Sequence, residues 1–429
     1  MIVMNRGMNK SFIMLILAFA MPLIINAKKY VGGDISLLTE YEDHGAIYYD
    51  TDGSTLITDL LTYFTDCGHN AMRVRLFHTP SNASEDEIGE GVVQDLAYVA
   101  ALGKRIKDAG FAFILDIHYS DTWADPAKQW TPEAWVGLSD DVLADSVYEY
   151  TKMVLITLVD NGATPDFIQT GNEISYGMLW GAESASSYKK YYASTGQNLS
   201  RFASFLTKAS AACREVCPDA KIIIHTERVA NTSYLKAFYE DMEEQEIDYD
   251  IIGTSYYSYY HGALSQLESA LTTLESFDKE IMVVETGYYH AWQPSTVTYD
   301  LSSTYPISGD GQCAFTEDLI DVLNEHDSVT GLFWWDMEAN EYGLDWYTQR
   351  VTDEWYNASL FDNSTGAALP AIKVLSTFLD DEDSGISSVL VESTPKSVMM
   401  YNLSGQRVTP SPALPSGIYI VNGRKCVMR

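Results

Sequence analysis

The chain has 429 residues, 46% of them hydrophobic, and carries 27 basic against 60 acidic residues for a net charge of −33. That composition fills a large core and excludes a disordered chain. The charge disfavours nucleic acid, anionic membranes and acidic polymers such as pectic acids as partners, and leaves neutral substrates open. Five cysteines (Cys67, Cys213, Cys217, Cys313 and Cys426) form no zinc pattern and are read as mostly buried free thiols, with no disulfide framework.

In chain order, Arg6 and Lys10 precede an apolar run from Phe12 to Ile25 that ends at Asn26-Ala27 before two lysines. This is the pattern of a secretory signal peptide over residues 1–27, too short for a stable membrane span. A secreted protein, periplasmic or at the cell surface, is expected, without membrane insertion. Eight apolar runs follow: "YVGGDIS" from Tyr30, "AMRVRLF" from Ala71, "FAFILDIHY" from Phe111, "DFIQTGNE" from Asp166, "KIIIHT" from Lys221, "DIIGTSYY" from Asp250, "IMVVETGYY" from Ile281 and "GLFWWDME" from Gly331. Such runs suit parallel strands buried on both faces. Amphipathic helical patterns lie between them, as in Gln94–Gly110, Asp140–Gly162, "SRFASFLTKASAACREVCP" and "AFTEDLIDVLNEH". The alternation predicts an α/β fold, a (β/α)8 TIM barrel over residues 28–379, with chemistry at the C-terminal ends of its strands. An acidic linker, residues 380–385, then leads to a small C-terminal β appendage, residues 386–429, marked by turn signals such as Asn422-Gly423. Its role is read as either capping or sorting.

Several predicted strand ends carry carboxylates: Glu173 on the fourth, Glu285 on the seventh, Asp336 and Glu338 on the eighth. Two carboxylates facing across a barrel mouth are what retaining glycoside hydrolysis needs, about 5–5.5 Å apart, one as acid and one as nucleophile. Asn172 is placed to bond a sugar hydroxyl beside the reacting carbon. Arg73 and Arg75 share one strand face and need a buried anion, for which a nucleophilic carboxylate fits. Tyr256 or Tyr257 could serve the same carboxylate, and Trp335 could floor the sugar. Asp116 and His118 share a face as a supporting pair. The first strand lacks the His-x-His of metal-dependent barrel hydrolases, so no metal ligands are expected.

These residues bring the chain close to a known family. "GGDISLLTEYEDHGAIYYDTDG", "MRVRLFHTP", "LDIHYSDTWADPAKQ", "IQTGNEISYGMLWG", "GTSYYSYYHG", "VVETGYY" and "GLFWWDME", in order, resemble glycoside hydrolase family 53, the endo-β-1,4-galactanases, from about Tyr30 to Leu379. The resemblance implies Glu173 as general acid/base, Glu285 as nucleophile, and cleavage within β-1,4-galactan side chains of pectin. Another neutral β-glycan, mannan or xylan, is the alternative substrate, and a non-catalytic glycan-binding barrel a more distant one. It also implies that Asn172, Arg75, His118, Tyr257 and Trp335 line the site of the reacting sugar. Asp121, Trp123 and Trp180 would bind neighbouring sugars. No cofactor is required, and a monomer is expected. The chain departs from the family pattern at Trp334-Trp335-Asp336-Met337. It departs again in "HAWQPSTVTYDLSS" after the seventh strand, which lacks the Asp, His and Asn cluster that holds calcium in some members.

Overall fold

The computed structural model describes residues 27–379 except 296, 346, 353 and 354, together with the backbone of four short strands between 400 and 428. Residues 1–26 of the expected signal peptide and the acidic linker lie outside the described residues. Eight parallel strands close into a barrel: β1 (Tyr30–Asp34), β2 (Ala71–Leu76), β3 (Ala112–Ile117), β4 (Phe167–Thr170), β5 (Lys221–Thr226), β6 (Ile251–Tyr257), β7 (Glu280–Gly287) and β8 (Val329–Trp334). β8 pairs with β1, which completes the ring. Each strand falls within one of the apolar runs or begins one or two residues before it, as expected of segments buried on both faces.

The helices between strands form the outer layer: α1 (Leu60–Asp66), α2 (Leu96–Asp108), α3 (Asp140–Asp160), α4 (Leu199–Val216), α5 (Thr232–Glu244), α6 (Leu264–Leu274), α7 (Gly309–Asn324) and α8 (Ala371–Val374). Five start at a side-chain cap. Asp59, Asp95, Ser139, Asn231 and Ser308 each accept a backbone N–H of the first turn. Such caps contribute about 1 kcal/mol each and fix where each strand-to-helix loop ends. A short helix, Leu38–His44, and a hairpin, Tyr48–Tyr49 with Leu56–Ile57, elaborate the loop after β1. The C-terminal strands Met400–Asn402, Arg407–Val408, Gly417–Val421 and Arg424–Met428 form a separate antiparallel sheet.

Alternation along the strands sorts side chains between two cores. Met72, Val74, Leu115, Ile168, Ile224, Tyr256 and Leu332 face outward to the helices. Ala71, Ile114, Phe167, Ile223, Ile251, Met282 and Phe333 face inward and plug the barrel floor. Two residues further along β2 to β5 the same inward face carries Arg73, Asp116, Gln169 and His225, all fully buried. The barrel interior is thus an apolar floor with a polar layer on top.

β7 breaks the alternation. Thr254 and Ser255 of β6 stand opposite Val283 and Glu285, and on the other side Leu332 and Trp334 of β8 stand opposite Val283 and Thr286. Both neighbours therefore count one extra residue, a β-bulge at Val284–Glu285. Met282 and Val284 both pack into the floor. The bulge then turns Glu285 inward, where strict alternation would have sent it out among the helices.

Closure also depends on Gly32. A Cβ there would lie 1.8 Å from the carbonyl oxygen of Ala71 on the adjoining strand, while one at Gly89 meets nothing within 4 Å. Gly32→Ala is expected to destabilise the barrel by about 3 kcal/mol or more, at or above the usual range for overpacking. Gly89→Ala should be near neutral. Chemical denaturation of both variants checks this.

Candidate active site

The loop leaving β4 sets the first carboxylate. Gly171 takes φ +104°, and its neighbour Glu173 sits at φ +45°, a left-handed conformation costly for a side chain with a Cβ. A Cβ on Gly171 would come within 2.8 Å of Ile174. Three contacts hold the strained turn. Gln129 Nε2 donates to the carbonyl of Asn172 at 2.7 Å, Ile174 N donates to His225 O at 3.0 Å, and Glu173 N donates to His225 Nδ1 at 3.3 Å.

His225 is fully buried, and burial beside Arg73 holds its pKa well below the ordinary value, so the ring is neutral. With Nδ1 accepting from Glu173 N, its proton is assigned to Nε2, which donates to Ser255 Oγ at 2.8 Å. Ser255 in turn donates to Glu173 Oε1 at 2.6 Å. The relay fixes one carboxyl oxygen of Glu173 and leaves the other facing the cleft.

Glu285 has different company. Arg73 Nη2 lies 2.9 Å from its Oε1, and Tyr257 donates to its Oε2 at 3.0 Å. The same guanidinium bonds Asp34 at 3.0 Å, Asp116 at 2.8 Å and the side-chain oxygen of Asn172 at 3.0 Å. Arg75 bonds Asp34 and Asp336, both at 3.1 Å, and lies behind the rings of Trp123 and Trp335, 4.6 and 5.2 Å from their centroids. The arginines thus brace the carboxylate and the aromatic floor from below.

Burial raises the pKa of both glutamates. Glu285 is pushed up to about 7, against the pull of Arg73 and the Tyr257 hydrogen bond. Glu173 is raised well above the ordinary value by burial and then by the charges of Glu285 and Glu227, with only the Ser255 hydroxyl opposing. A guanidinium stabilises an anion far more than a hydroxyl does, so the first proton leaves Glu285 and the last stays on Glu173.

Glu173 and Glu285 open onto one cleft of about 510 Å³ at the C-terminal mouth, walled by Asn172, Trp123, Tyr257, Trp335 and Trp355. Of the residues expected at the site, Asn172, Trp123, Tyr257 and Trp335 line it together with the two glutamates. The others do not. Arg75, Asp116 and His118 are fully buried beneath the cleft, Arg75 and Asp116 in ion pairs and His118 hydrogen-bonded through Nε2 to Asp116 at 2.9 Å. His118 also accepts the Ala124 N–H at 3.1 Å, which steadies the loop carrying Trp123. Tyr256 points outward by alternation; its hydroxyl donates to Gly262 O at 2.8 Å and its ring stacks on Phe315. Asp121 is consumed by Asn82, His78 and the Glu133 N–H in a separate depression. Trp180 is buried against Trp130 and under Lys190, with its N–H on Tyr176 O. Sequence reasoning missed Asp34, Gln169, His225, Ser255 and Glu227. The signal was present for two of them, since Gln169 and His225 each follow a floor residue by two positions, as Arg73 and Asp116 do.

A closed parallel barrel with two glutamates facing one aromatic-floored cleft at its strand ends defines a (β/α)8 glycoside hydrolase. The chain belongs to glycosyl hydrolase family 53, whose model matches residues 30–375. A probable arabinogalactan endo-β-1,4-galactanase A of Aspergillus terreus is 34% identical over 328 residues, 74% of this chain and 87% of that protein. An endo-β-1,4-galactanase of Bacillus subtilis is 27% identical over 405 residues, 86% of each chain. The solved family 53 catalytic domain of Ignisphaera aggregans superposes with a TM-score of 0.69 at 31% identity, covering 81% of this chain and 95% of that one.

The raised pKa of Glu173 has a consequence for stability. A carboxyl whose folded pKa is raised contributes stability that is fully present below its unfolded value, about 4.3, and lost as pH rises through the folded value. Glu173→Gln removes that loss. The variant should melt above the wild type at pH 8, with the gain shrinking toward zero near pH 4.5, as thermal scans across pH will show.

Proposed function

We propose that the protein is a retaining endo-β-1,4-galactanase that cuts within the galactan side chains of pectin by double displacement, with Glu285 as nucleophile and Glu173 as acid/base. The observation that carries the roles is the unequal company of the two glutamates. Glu285 is held by Arg73 and Tyr257, which favour its anion. Glu173 meets burial and the charge of Glu285, which favour its acid form, with only the Ser255 hydroxyl opposing. Glu285 attacks the anomeric carbon while Glu173 protonates the departing oxygen. Once Glu285 is esterified its charge is gone and the pKa of Glu173 falls. Glu173 then takes a proton from water, which releases the sugar. Asn172 Nδ2 spends one hydrogen on Ala124 O at 2.8 Å and keeps the other for a sugar hydroxyl beside the reacting carbon. Trp335 and Trp123 form the apolar floor for the ring.

Substrate and secretion rest on the relatives and on the N-terminal sequence. The galactanases of A. terreus and B. subtilis support galactan over mannan or xylan. Arg6, Lys10 and the run Phe12–Ile25 support export. Among the described residues no helix is long and apolar enough to cross a membrane. The mechanism needs no cofactor. The loops after β7 and β8 are tied by direct bonds: His290 N to Asn357 O at 2.9 Å, Asn357 Nδ2 to Trp292 O at 2.7 Å, and the rings of Trp292 and Tyr356 edge to face at 4.9 Å. We propose that these contacts stand in for a calcium, and that the C-terminal sheet serves sorting or capping.

Glu173→Ala should lose at least about 100-fold in kcat/KM on galactan, the scale of general acid catalysis. It should keep most of its kcat/KM on an aryl β-galactoside with a good leaving group. Glu285→Ala should lose both. Equal loss on both substrates for Glu173→Ala removes it from the acid role. Galactan cleavage and Tm should not change on exhaustive EDTA dialysis. A fall of several degrees restored by calcium would show that the hydrogen-bonded loops do not suffice.

A further inference from the structure

A further carboxylate stands in the same cleft and has no part in the double displacement. Glu227 follows His225 by two residues, so it takes the same inward face just past the end of β5, one step nearer the mouth. It lines the cleft with Glu173 and Glu285 and is 7% exposed. Its Oε1 accepts from Ser175 Oγ at 2.7 Å. Its Oε2 has no hydrogen-bond partner among the described residues. A buried carboxylate oxygen without a partner is costly. Arg228, its nearest cation, stays 3.7 Å from the oxygen that Ser175 already holds.

The position of Glu227 fixes its side of the cleft. Ser175 belongs to the same loop as Glu173, two residues on, and the Ser175 carbonyl is held by the Tyr234 hydroxyl at 3.1 Å. Glu227 is therefore tied to the loop that carries the acid, on the β4–β5 wall. Tyr257 bonds the nucleophile instead, and the ring of Trp335 lies against Arg73, which holds that nucleophile. In a double displacement the acid stands beside the departing oxygen, so the β4–β5 wall is the wall that the leaving sugar meets.

We propose that Glu227 is a specificity-determining residue for the leaving group: Ser175 orients its carboxylate, and the carboxylate accepts a hydroxyl hydrogen bond from the galactose unit that departs. The chemistry it selects is a polyhydroxylated sugar, as against an aryl or alkyl alcohol. The inference rests on Glu173 being the acid. Hydrogen bonds to a charged group contribute about 1.5–3 kcal/mol, or roughly 10- to 100-fold in rate when they form on the way to the transition state. The same residue would also favour a sugar over water as acceptor when the glycosyl enzyme is resolved.

The test compares wild type, Glu227→Ala and Glu227→Gln on linear galactotetraose and on 4-nitrophenyl β-galactobioside, whose leaving group has no hydroxyl to offer. The ratio of kcat/KM for tetraose to that for the nitrophenyl substrate should fall at least about tenfold in Glu227→Ala and less in Glu227→Gln, whose amide oxygen still accepts. Transfer to added galactobiose, relative to hydrolysis, should fall in parallel. An unchanged ratio, or equal loss on both substrates in both variants, overturns the proposal. Ser175→Ala, which frees the carboxylate without removing it, should lower the ratio by a smaller factor, and an unchanged ratio there also counts against it. Failure of the catalytic reading would look different: Glu173→Ala would then lose activity equally on both substrates while Glu227→Ala still changed the ratio.

Discussion

The buried guanidinium of Arg73 is the constraint on which the site depends. It has no exposure and is shared among Asp34, Asp116 and Glu285. A charge taken out of water this completely survives only if its partners surround it. Those partners come from β1, β3 and β7, so the demand of one side chain draws strand ends from around the barrel to a common point. The arrangement also decides the chemistry. Of Glu173 and Glu285, the one that Arg73 reaches is the one that ionises first.

Stability is given up for this. Glu173 occupies a left-handed backbone conformation, and so does Asp336 at the end of β8, φ +43°. Several carboxyls around the mouth are raised by burial: Glu173, Glu285, Glu227, Asp336 and Glu338. Strained turns and under-compensated acids concentrated at one end of a fold, over an apolar floor, are the usual trade of stability for activity. The floor and the capped helices below supply the rigidity that lets the mouth tolerate it.

The eight strands were legible because each is an uninterrupted apolar run. Glu173 and Glu285 were legible because a carboxylate closing such a run has no packing reason to be there. Less visible was the direction of side chains near strand ends. Tyr256 and Tyr257 are adjacent and chemically alike, and only the phase of β6 sends one to Phe315 and the other to Glu285. On β7 the phase itself changes at the bulge, which no alternation rule reveals. Arg75, Asp116 and His118 have the residue types of a substrate site but lie one layer too deep, because buried ion pairs and the His118–Asp116 hydrogen bond satisfy them inside the barrel. Trp180 and Asp121 belong to loops whose course is set by tertiary packing, and both end up consumed by neighbours outside the cleft.

Arg73 separates two like residues, Glu285 and Glu173, into an anion and an acid. Neutron diffraction from a deuterated crystal at pH 8, above the value of about 7 for Glu285, reads this directly, since it shows which carboxyl keeps the proton. A deuteron on the Glu173 carboxyl, a bare Glu285 carboxylate facing Arg73, and His225 deuterated on Nε2 alone are expected. A deuteron on Glu285 with Glu173 bare would contradict this separation.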